Sequence, residues 1–121
     1  MTVNPGTYTL EEILSQPRCW TECLRVLEQE DQLGQVHRRL PEASEWLFIG
    51  CGSSYYIAQA AAASWTIITG MRARAIPASD VLLYPRLVLS DPGGCRPVLI
   101  SRSGHTSEIL KAAEYLELKE N

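Results

Sequence analysis

Trp46-Leu47-Phe48-Ile49-Gly50-Cys51-Gly52-Ser53-Ser54 decides how this chain is read. The apolar run is too short for a helix and stops at once on Gly-Cys-Gly, which marks a buried strand leading into a turn. Residues 54–69 then read as an Ala-rich helix, with Ala60 to Ala63 small enough to lie close against a sheet and Gly70 placed to end it. Downstream the pattern returns. Pro97-Val98-Leu99-Ile100 is a strand, Ser101-Arg102-Ser103-Gly104-His105-Thr106 a turn, and Thr106 to Leu118 an amphipathic helix. Between the two copies, Arg74-Ala75-Ile76 is a short strand, and Ser79 is a helix cap for Asp80 to Tyr84 before Pro85. The loop Ser90-Asp91-Pro92-Gly93-Gly94 follows. The order βαβαβα predicts a parallel sheet with helices on its faces. Three strands are few for a doubly wound sheet, so the chain is expected to be a fragment or to pair with another chain.

Upstream, Thr9-Leu10-Glu11-Glu12 has the form of a capping box that starts a helix at Leu10. Pro17 fits the first turn of a second helix, where its missing N–H costs nothing, and Trp20, Cys23, Leu24 and Leu27 recur at helical spacing as a core-facing stripe. The run Glu28-Gln29-Glu30-Asp31-Gln32 reads as this helix's exposed face or its fraying end, and Pro41 closes the segment. Residues 1–41 are therefore a helical segment and 42–121 an α/β domain. The 121 residues carry 45% apolar and 21% charged side chains, the profile of an ordinary globular domain. No apolar run reaches the roughly 20 residues of a membrane helix, and no signal peptide opens the chain, so a cytoplasmic protein without membrane contact is expected. A net charge of -3 with no basic cluster argues against nucleic acid. Cys19, Cys23, Cys51 and Cys95 are expected as reduced thiols, mostly in the core. Cys19 and Cys23 lie i, i+4 apart and with His37 form a conceivable metal set, but no further Cys/His pair supports one, and no metal site is expected.

The two turns carry the chemistry. In a sheet of order 2-1-3 they leave neighbouring strands on one edge, and their helices depart to opposite faces, which opens a crevice where ligands bind. Gly52 and Gly104 let backbone approach a ligand, helix starts favour an anion, and Ser53, Ser54, Ser101, Ser103 and Thr106 add hydroxyl donors. Capping and turn formation explain any single such turn. Two turns on one crevice, with more hydroxyls than capping requires, point to a phosphate monoester. Arg102 reads either as a phosphate partner or as a surface charge, and His105 as a solvent-facing cap rather than a proton carrier. Cys51 precedes a helix but reads as a packed thiol. A dinucleotide fingerprint fails because Tyr55 stands where its third glycine belongs, and neither a nucleotide P-loop nor a Gly-x-Ser-x-Gly elbow occurs. No cofactor is expected.

At these residues the chain resembles the sugar isomerase (SIS) domain family, particularly the isomerase half of glucosamine-fructose-6-phosphate aminotransferase and its relatives lacking a glutaminase domain. Glu12-Ile13-x-x-Gln16-Pro17 is similar to the family's opening segment, and Gly50-Cys51-Gly52-Ser53-Ser54-Tyr55 to its first phosphosugar turn. Pro77-Ala78-Ser79-Asp80 is similar to its Ala-Ser-Glu segment, and Ser101-Arg102-Ser103-Gly104-His105-Thr106 to its second turn. The resemblance implies a flavodoxin-like three-layer αβα fold with a parallel sheet, of which residues 42–121 form the first part. It also implies that Ser53, Ser101, Ser103 and Thr106 hold the phosphate of a hexose or hexosamine 6-phosphate, with Ser54 and Arg102 near the sugar. The family's aminotransferases carry Gln at the place of Arg102 and Glu at that of His105, and the Ser-Arg-Ser-Gly form resembles relatives acting on other amino-sugar phosphates. With no nucleophilic N-terminal Cys, a deaminase/isomerase or an ammonia-dependent enzyme fits better. In the family the acid/base residues come from a second SIS domain, the tail or a neighbouring subunit, so a homodimer is implied and no catalytic residue is assigned here. A non-catalytic sugar-phosphate sensor is the alternative.

Overall fold

The central strand β1 (Glu45–Gly50) pairs in parallel with β2 (Ala73–Pro77) on one side and β3 (Cys95–Ile100) on the other. The sheet order is therefore β2-β1-β3, as the sequence predicts. These strands belong to a computed structural model that describes residues 6–29, 31, 32, 34, 35, 43–89 and 94–120. The chain divides into two compact units, Met1–Pro41 and Glu42–Asn121.

In the second unit β1 is buried on both faces, as a middle parallel strand must be. Its alternation sorts the two layers. Trp46 and Phe48 meet Trp65 of α2 (Ser53–Thr69), with ring centroids 4.4 and 6.0 Å apart. Leu47 and Ile49 point the other way, into a cluster with Ile76. That cluster also takes Val81 of α3 (Ala78–Leu83), Val88 of α4 (Pro85–Val88), and Ile109 and Ala112 of α5 (Ser107–Glu120). The result is three layers, helix on sheet on helix.

Local chemistry explains the boundaries. Gly70 adopts φ 70°, the left-handed conformation that ends a helix, and its N–H donates to Thr66 at 2.9 Å. The contact stripe of α2 differs from the expected Ala60 to Ala63: Ala58 and Ala62 are buried one turn apart, whereas Ala60 and Ala63 are exposed. Only one face of a helix can meet the sheet. Ser79 is also not a cap. Pro77 occupies the N-cap position of α3, and the Ser79 hydroxyl turns to Asp80 at 3.4 Å. The short α4 was not anticipated; Pro85 opens it with a preset φ. At the far edge Glu45 accepts from Arg74 Nε at 3.1 Å, and Arg74 also donates to the Val88 carbonyl, tying β1, β2 and α4 together. Residues 90–93 of the expected loop lie outside the described residues.

The first unit corrects the sequence reading most. A single helix, α1 (Thr7–Gln29), runs through Pro17 where two helices were expected. It begins before Leu10, whose N–H donates to the Gly6 carbonyl at 2.9 Å, so Thr9 lies inside the helix and caps nothing. Breaking at Pro17 would leave two short halves, each needing its own unfavourable nucleus, and continuity outweighs the lost hydrogen bond. Arg25, which pairs with Glu22 and donates to Gln29, supports the second half. The expected core-facing stripe finds no core within its own unit: α1 buries none of its residues there, Trp20 is 63% exposed, and Cys19 and Cys23 are exposed thiols. Forty-odd residues cannot enclose a core of their own. Of the other cysteines, Cys95 is buried and Cys51 half-buried. His37 and Pro41 lie outside the described residues.

Candidate functional site

Strands β1 and β3 end level with one another, Gly50 opposite Ile100. The turns that follow therefore start side by side, about 4.8 Å apart as paired strands are. Gly52, Ser53 and Ser54 belong to the first; Ser101, Arg102, Ser103, Gly104 and Thr106 belong to the second. Because α2 covers the Trp46 face and α5 the Leu47 face, the two helices start on opposite sides of this edge, where β2 also ends at Pro77.

The first turn is held by its backbone. Ser54 N–H donates to the Cys51 carbonyl and Tyr55 N–H to Gly52, both at 3.1 Å. Gly52 has φ 56° and ψ -127°, a conformation open essentially to glycine alone. Gly50 is required for another reason. A Cβ there would lie 2.4 Å from the Ser54 carbonyl oxygen and 2.6 Å from Tyr55 N, both backbone. No side chain caps α2, and the Ser53 and Ser54 hydroxyls have no partner among the described residues.

The second turn is built differently. Ser101 Oγ accepts from the Gly104 N–H at 3.0 Å, and Ser103 Oγ from the His105 N–H at 3.2 Å. These hydroxyls shape the turn, and each keeps its O–H free to donate to an anion. Gly104, at φ 68°, reverses the chain towards α5. The Thr106 hydroxyl and the Arg102 guanidinium have no partner among the described residues; Arg102 is exposed and Thr106 half-buried. His105 is exposed.

Two structural features beside the turns escaped the sequence reading. One is the close approach of α2 to Gly50. The other is Glu108 in the first turn of α5. Its own backbone N–H, and then the Ser107 hydroxyl at 3.0 Å, hold its carboxyl below the ordinary range. That carboxylate occupies part of the positive helix end an incoming anion would use. An acidic residue just after a Ser/Thr pair was the available signal.

No family model matches the sequence, and no curated protein matches it either. Among solved structures, the chain is similar to the crystal structure of tagatose-6-phosphate ketose/aldose isomerase from Escherichia coli, with a TM-score of 0.78 and 27% identity. The match covers 98% of this chain and 33% of that one, so the chain spans about a third of that isomerase's length. The fold is part of an SIS-type sugar isomerase fold. In this SIS-type fold the two hydroxyl-rich turns lie at the switch point of a flavodoxin-like sheet, where strand order reverses. Among the described residues no helix is long and apolar enough to cross a membrane, and no group of three or more His, Cys, Asp or Glu is placed to hold a metal ion.

Proposed function

We propose that this chain is the phosphosugar-binding part of a sugar-phosphate isomerase-type enzyme acting on a hexose or hexosamine 6-phosphate. The observation that carries the reading is the pair of level turns at β1 and β3, which start side by side and carry Ser53, Ser54, Thr106 and Arg102 side chains without a partner among the described residues. Ser53, Ser101, Ser103 and Thr106 hold the phosphate through hydroxyl and backbone donors, while Ser54 and Arg102 stand by the sugar. Gly52 and Gly104 keep the backbone close. The likeness to a tagatose-6-phosphate ketose/aldose isomerase supports a hexose phosphate over other phosphate monoesters. Within that class, an amino-sugar deaminase/isomerase or an ammonia-dependent aminotransferase suits the Ser-Arg-Ser-Gly turn.

Aldose-ketose interconversion moves a proton between the carbonyl carbon and its neighbour, through an enediol in which the carbonyl changes places with the adjacent hydroxyl, so the enzyme must fix the open-chain sugar while a base acts. The chain supplies the fixing. Phosphate held at the helix starts anchors one end of the sugar, and the binding energy of that non-reacting group positions the carbons. The base and acid come from outside the crevice turns, in a further domain or the second subunit of a cytoplasmic homodimer.

Calorimetric titration with tagatose 6-phosphate, fructose 6-phosphate, glucosamine 6-phosphate and the unphosphorylated sugars tests this. Binding should require the phosphate. Thr106→Val and Ser53→Ala remove hydroxyls that brace nothing internal, and each should weaken binding about 10- to 100-fold, the loss of one hydrogen bond to a charged group at about 1.5–3 kcal/mol. Equal affinity for sugars with and without phosphate overturns the assignment.

A further inference from the structure

The sequence reading places Cys19 and Cys23 in a core, yet both thiols stand exposed on α1, one turn apart on the same face. They line a groove of about 730 Å³ whose walls include Arg18, Glu22, Val26 and Leu27. We propose that this dithiol is a two-coordinate site for a soft monovalent metal ion of the Cu(I) class.

Spacing supports a bridging atom over a direct bond. A disulfide needs Cβ atoms about 3.5–4.5 Å apart, whereas residues at i, i+4 on a helix hold theirs about 5–6 Å apart. Two metal–thiolate bonds of about 2.3 Å each span up to roughly 4.6 Å between sulfurs, which rotation about χ1 of two helical cysteines can meet. The softness of two thiolate ligands sets the class of ion. Glu22 is engaged by Arg25, whose Nε lies 2.9 Å from it, and no group of three or more ligating side chains exists among the described residues. Zinc in a structural site asks for four ligands, while soft thiolates favour Cu(I), a closed-shell ion content with two in a line.

The balance is simple. Two S–H bonds break, two S–Cu bonds form, and two protons leave to solvent, so a neutral dithiol and a monovalent ion become a complex of charge -1. Arg18 in the same groove offsets that charge. No electron is transferred.

The test is anaerobic titration of the full reduced chain with Cu(I) against the chelator bicinchoninate. One ion should bind per chain, with two protons released per ion as the two thiolate bonds form. Cys19→Ser and Cys23→Ser should each weaken binding on the order of 100-fold or more, since each removes the chelate. Cys51→Ser/Cys95→Ser should leave it unchanged, and circular dichroism should show α1 intact in every variant. The proposal is overturned if Cu(I) fails to outcompete the chelator, if one equivalent survives in Cys19→Ser/Cys23→Ser, or if one ion binds per two chains.

Discussion

At the residue scale the crevice depends on two glycines with different reasons to be glycine. Gly50 has no room for a Cβ because the first turn of α2 rests on it. Gly104 has room, with nothing within 4 Å, but needs a positive φ. Gly50→Ala should therefore destabilise by about 2 kcal/mol or more, since backbone cannot swing aside as a side chain can. That corresponds to a Tm fall on the order of 10 °C for a domain of this size. Gly104→Ala should lose only about 1 kcal/mol, the local left-handed penalty. Equal losses in thermal unfolding would show that α2 lifts freely from β1. Glu108 gives an electrostatic prediction. Glu108→Gln frees the start of α5, and phosphate-monoester affinity should rise about two- to fivefold, measured by calorimetry at low salt. The pH sign follows from its depressed pKa: the carboxylate supports the fold above the ordinary carboxylate range, and the support is lost as pH falls through the lowered folded value. The wild type should thus lose more helix stability than Glu108→Gln between pH 5 and pH 3; parallel acid profiles would remove Glu108 from this role. Sequence made the hydroxyls of both turns legible, because two turns after neighbouring strands carry more Ser and Thr than capping requires. It did not separate Ser101 and Ser103, which brace the turn, from Ser53 and Thr106, which brace nothing among the described residues, because that distinction lies in which N–H each oxygen faces.

At the element scale, apolar run, glycine turn and helix made the parallel layers readable. A strand of Trp-Leu-Phe-Ile apolar on both faces has to be central. Pro17 misled for a physical reason. A proline is best tolerated in a helix's first turn, so local rules place a start there, whereas continuity across it depends on avoiding two nucleation events. The continuous helix is testable. Pro17→Ala restores the N–H that reaches back to Ile13 and removes the ring's clash, about 3 kcal/mol in a helix interior. Amide hydrogen exchange in residues 10–24 should slow by roughly 100-fold. Unchanged protection there would mean that the helix is already interrupted at Pro17.

At the scale of the whole molecule, what sequence periodicity cannot say is whether an apolar face has something to cover it. Helix α2 contains no charged residue from Ser53 to Thr69, and its inner face is satisfied by Ala58, Ala62 and Trp65 against the sheet. Its outer face remains apolar: Tyr56 is 70% exposed, Ile67 83% and Ile68 81%. A run of large apolar groups without a charge to keep it in water drives association once concentration permits. These side chains contribute little to the fold, since they are almost as exposed in it as in the unfolded chain. Ile67→Lys combined with Ile68→Glu should therefore leave Tm within about 2 °C, the usual range for surface changes, while abolishing concentration-dependent association in sedimentation velocity. The opposite-sign pair keeps net charge fixed, so general repulsion cannot account for the result. If the variant unfolds, the two isoleucines are part of the core after all; if association persists with the fold intact, the contact lies elsewhere than on the outer face of α2.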